Sequence, residues 1–170
     1  MTATANNERQ ENIAFMRVAF SGNEDAVRFV LDICKIADVW DNLIDKDATM
    51  SDADIHAAFW AALISLPTNP FYRANQDQLL PLFVAGITNW KVATAIERSS
   101  ESTGDALEIA HVIRYGIADV VLMTAVLTSG VEIAEKYAVE LRMRSQRSNF
   151  AEYMTSIGRG TANEKPKTTK

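Results

Sequence analysis

Apolar residues recur at spacings of three and four along almost the whole chain, and strand-type alternation of Val, Thr and Tyr is absent. That period places apolar groups on one face of an α-helix rather than of a pleated strand. The seven glycines and four prolines sit mainly where such segments end. The pattern predicts an all-α fold: a single compact bundle of six to seven helices over residues 1–157, with a central buried fifth helix. A flexible basic tail is expected over 158–170.

Composition narrows the class. With 170 residues, 48% of them apolar and 23% charged, the chain can bury a sizeable core. A net charge of −5 disfavours nucleic acid as a partner. Cys34 is the only cysteine, so neither a disulfide framework nor a cysteine zinc site is available within one chain. The leading MTATANNERQ has no apolar h-region. The longest apolar run, Ile117 to Leu127, is interrupted by Asp119 and is too short to span a bilayer. A cytoplasmic protein with no membrane partner is the expectation.

Helix signals divide the chain further. A first helix is expected over 7–20. Asn23 is a suitable N-cap for a second over 24–45, about 33 Å long. Ser51 caps a third over 52–66, stopped by Pro67. The loop PTNPFYRAN should fold Phe71 and Tyr72 back onto the bundle. Asn75 caps a fourth helix to Arg98, with Pro81 as a kink or a late start. The fifth runs over 105–128, the sixth over 131–146, and Ser148 caps a last one through Ile157. Trp40, Trp60 and Trp90 stand at apolar helix positions and should pack in the core.

Two polar stripes interrupt this apolar pattern. On the second helix, Asp38, Asp41 and Asp45 stack on one face at i, i+3 and i+7. On the fifth, Glu108, His111, Tyr115 and Asp119 recur at spacings of three, four and four. If the stripes face each other, Asp38, Asp41, Asp45, Glu108 and Asp119 form an oxygen-rich site suited to Mg²⁺ or Mn²⁺. His111 or Tyr115 would then be the acid–base group, and Arg73 or Arg114 would bind a substrate phosphate. The expected activity is divalent-metal-dependent hydrolysis of a phosphorylated or nucleotide small molecule. In the other reading the aspartates are a solvated face, and His111 and Tyr115 are buried groups hydrogen-bonded to neighbouring helices. The chain is then a non-enzymatic interaction or assembly protein, a regulatory adaptor or a phage or virion subunit, joined to copies of itself or to a protein partner.

The octapeptide Asp38 to Asp45, DVWDNLID, resembles the aspartate-rich helix of class I isoprenoid synthases, which bind diphosphate through Mg²⁺ on all-α bundles. The adjacent aspartate pair of that motif is missing. Gly116 to Met123, GIADVVLM, is similar to the second motif of all-α nucleoside triphosphate pyrophosphohydrolases, but Gly116 stands where that motif carries Glu. Each likeness covers eight to twelve residues, and neither assigns a family.

Overall fold

Nearly every described residue is helical, and there are no strands among them. The computed structural model describes residues 3–46, 48–146 and 148–159. Its helices are α1 (Ala3–Ala19), α2 (Glu24–Asp45), α3 (Asp52–Trp60), α4 (Leu66–Thr68), α5 (Pro70–Arg98), α6 (Gly104–Ile113), α7 (Ile117–Ser129), α8 (Val131–Ser145) and α9 (Phe150–Ser156). A π-helical segment, Ala61–Ser65, joins α3 to α4.

The expected caps at the first two boundaries are present. Asn23 accepts from the Ala26 amide, and Ser51 accepts from the Asp54 amide. The prolines behave differently from expectation. Pro67 does not stop the third helix, which widens into the π segment and continues to Thr68. A proline ring in helix interior crowds the carbonyl four residues earlier; the wider turn makes room for it. The stretch expected to be a loop is already helical from Pro70, because Asn69 caps it by accepting from the Tyr72 amide. Asn75 is therefore not a cap but a kink, with φ −125° and ψ 17°. Its side chain donates to the Phe71 carbonyl at 2.8 Å.

The core lies between α1, α2, the start of α5, α7 and α8. Phe20, Phe29, Leu79 and Val120 are fully buried there. Phe29 stacks on Tyr72 with ring centroids 5.7 Å apart and tilts against Phe71 at 5.4 Å. Phe71 and Tyr72 thus fold inward as expected. A smaller core joins Ala93 of α5, Ala110 of α6 and Tyr153 of α9.

The expected fifth helix is two. It breaks at Arg114–Gly116, separating α6 from the buried α7. Gly116 lies against Gly86 of α5: a Cβ on Gly116 would sit 2.8 Å from the Gly86 Cα. Glycine at 116 is what lets the two backbones touch. By length and composition alone, α5 and the α6–α7 run are apolar enough to cross a membrane, although the second is broken at this turn. The last helix starts from Asn149, with a reciprocal capping box to Glu152, not from Ser148. Arg147 and the tail from residue 160 lie outside the described residues.

Candidate functional site

Arg114 occupies the centre of the polar region. The break after α6 aims its guanidinium between α2 and the end of α5. One nitrogen donates to Glu97 at 2.6 and 2.9 Å. The other donates to Asp41 at 2.8 Å and also to Asp45. Arg98 adds a longer contact to Asp45, 3.4 Å. The Arg114 and Glu97 side chains are only 15% and 8% exposed, so each needs its partner in place.

Aromatic groups close the site. Trp90 Nε1 donates to Asp41 at 2.8 Å, and its ring packs at a tilt against Trp40 with centroids 4.3 Å apart. The Arg114 guanidinium lies 5.5 Å from the Trp90 ring centre, within cation–π range. Tyr153, from α9, donates its hydroxyl to Glu97 at 2.8 Å. Four helices, α2, α5, α6 and α9, therefore meet at one guanidinium and its three carboxylates.

The electrostatics follow from that geometry. Burial by itself lowers the pKa of Arg114, but Asp41, Glu97 and Asp45 together outweigh it and raise it. Burial, then the hydrogen bond to Glu97, raises the pKa of the Tyr153 phenol. Both groups are held in their protonated forms. The cluster is an ionic clasp in which both terminal nitrogens of Arg114 donate to carboxylates.

The second expected stripe is dispersed. His111 is buried, and its Nε2 donates to the Ser148 carbonyl at 3.0 Å. Tyr115 exchanges a hydrogen bond with the Ser148 hydroxyl at 2.9 Å. Asp119 is exposed and pairs with Arg142 at 2.6 Å. Glu108 lines an open groove of about 390 Å³ with Asp105, Ile109, Val112 and Ile113. Asp38 is half-buried on α2, and Arg73 is exposed on α5. The helix breaks at Arg114–Gly116, and Asp119 on α7 pairs with Arg142, away from His111 and Tyr115, whose rings stay in edge contact with centroids 5.7 Å apart. Among the described residues, no three His, Cys, Asp or Glu side chains come together in an arrangement that could hold a metal ion.

Sequence reasoning named Arg114 only as a phosphate ligand and missed Glu97, Trp90 and Tyr153 as members of the cluster. The available signal was a lone arginine within an apolar helical run, which must find carboxylates if it is buried.

An all-α bundle with a four-helix ionic clasp is what the fold and this region define. No protein-family profile matches the chain, and no curated protein or solved structure matches it.

Proposed function

We propose that the chain is a non-enzymatic helical assembly protein that pairs with a second copy of itself through the face carried by α3 and the π segment. The observation behind this is the exposure of Phe59, Trp60, Leu63 and Ile64, at 58, 64, 67 and 45%. Their spacing keeps them on one side of the helix. A contiguous apolar surface of this kind marks an interaction site more often than an idle one.

Charge favours a copy over an unlike partner. The hexapeptide Phe59 to Ile64, FWAALI, carries no charge, and neither does α5 from Leu79 to Trp90. On that stretch Leu80, Val84 and Ile87 are also exposed. A neutral face offers no sign pattern for recognising a charged partner, yet it is complementary to itself, as a two-fold interface requires. The metal-dependent hydrolase expectation has less support. Asp41 and Asp45 of its first acidic stripe are engaged by Arg114, and its second is divided between α6 and α7.

The test is the mass in solution of the wild type and of the double variant Trp60→Ser, Leu63→Ser, by light scattering after size exclusion. Association that is lost in the variant supports the reading. A wild-type monomer at all concentrations, or lipid binding by this face in vesicle flotation, contradicts it.

A further inference from the structure

A different region carries the opposite charge to the rest of the molecule. Between α1, α2 and the α4–α5 turn lies a cleft of about 480 Å³. Arg9 reaches it from α1, and Arg28 and Lys35 reach it from α2 at positions seven apart. Asp32 stands between the two α2 cations, and Ser65 and Thr68 line the far wall. Arg28 is paired with Asp25, and Lys35 acts electrostatically on Asp32. Arg9 makes no ion pair among the described residues. Three cations therefore outnumber two carboxylates on a chain whose net charge is −5.

We infer that this cleft binds a compact phosphate-bearing small molecule, with Arg9, Arg28 and Lys35 supplying the charge. The volume lies within the range of small-ligand sites. The locally reversed field concentrates an anion in the cleft. The acidic remainder of the surface repels an extended polyanion such as a nucleic acid, so the ligand must be small enough to stay among the three cations. Recognition comes from side chains, because Asn69 already caps α5: it accepts from the Tyr72 amide and donates to the Asp25 carbonyl. Asp32 opposes the ligand least when protonated, and burial raises its pKa. The cations of this site lie on α1 and α2, apart from Phe59, Trp60, Leu63 and Ile64 of the proposed self-association face, and only Ser65 of its wall belongs to the π segment.

The experiment is calorimetric titration of the full chain with inorganic pyrophosphate, and with ATP in competition. Arg28→Gln, Lys35→Gln and, as a control on α8, Lys136→Gln are compared with the wild type. Arg28 and Lys35 are exposed and Asp32 is half-buried, so the variants should keep the fold, which a thermal melt verifies. The expected result is saturable binding, weakened about tenfold by each cleft substitution through loss of a charge-assisted contact. Lys136→Gln is unchanged, ATP displaces pyrophosphate, and Asp32→Asn tightens binding. No saturable binding overturns the inference. So does equal weakening by Lys136→Gln, which reports only net charge. Binding of a heparin fragment or oligonucleotide without binding of pyrophosphate also overturns it.

Discussion

The clasp at Arg114 and the face around Trp60 invert the usual placement of residues. At the clasp, a guanidinium and the Glu97 carboxylate are drawn inside the bundle, with Asp41 and Asp45 at its edge. At the face, four large apolar side chains are turned outward on a neighbouring part of the same helical scaffold. The charges that look available in the sequence are used internally, and the apolar groups that look internal are available. Chemistry in this chain is therefore better sought where the apolar surface is left uncovered than where the acidic residues are concentrated.

The comparison is broken most severely by removing the cation. Arg114→Leu removes the cation shared by Asp41, Asp45 and Glu97, leaving them only Trp90, Arg98 and Tyr153 as partners among the described residues, and should cost about 3 kcal/mol, the low end for breaking a buried pair. Urea denaturation measures it. The substitution should leave self-association at the Trp60 face unchanged in whatever fraction stays folded. Trp90→Phe keeps the packing against Trp40 but removes the donor to Asp41, at about 1.5 kcal/mol.

Tyr153→Phe is smaller, about 1 kcal/mol, because Glu97 keeps Arg114. Its effect depends on pH. The phenol is held above its ordinary value of 10.0 in the folded state. Its contribution is thus complete below that value and is lost as pH rises above it, while the unfolded chain ionises first. The urea midpoints of wild type and Tyr153→Phe should differ at pH 8 and converge towards pH 11.

The face should behave in the contrary way. Trp60→Ser with Leu63→Ser removes side chains that are largely solvated, so the stability of the isolated chain should change by less than about 0.5 kcal/mol per site. A loss as large as that at Arg114 would mean that these residues are core and would erase the contrast between the two regions.

Much of this fold is legible in local chemistry. The period of three and four predicts the all-α class, and Asn23 and Ser51 mark their boundaries through hydrogen bonds that span three residues. Phe71 and Tyr72 read correctly as inward-facing despite the prolines around them. The failures arise where distant parts of the chain decide. Pro67 looks like a stop, but a π turn absorbs it. The break at Arg114–Gly116 has no proline to announce it, and depends on the close approach of Gly86 from α5. Trp60 reads as core because its period is right, yet it is 64% exposed. The site suffered most from the hidden break. The spacings read as one helix, which aligns His111 and Tyr115 with Asp119, whereas in the structure His111 and Tyr115 meet Ser148 and Asp119 pairs with Arg142.

The most direct test of the central contrast is sedimentation of the wild-type chain over a wide concentration range, alongside Trp60→Ser, Leu63→Ser. The account predicts reversible association of the wild type and a monomeric double variant, with the same melting temperature at concentrations where the wild type is also monomeric. A wild-type chain that stays monomeric throughout would contradict it.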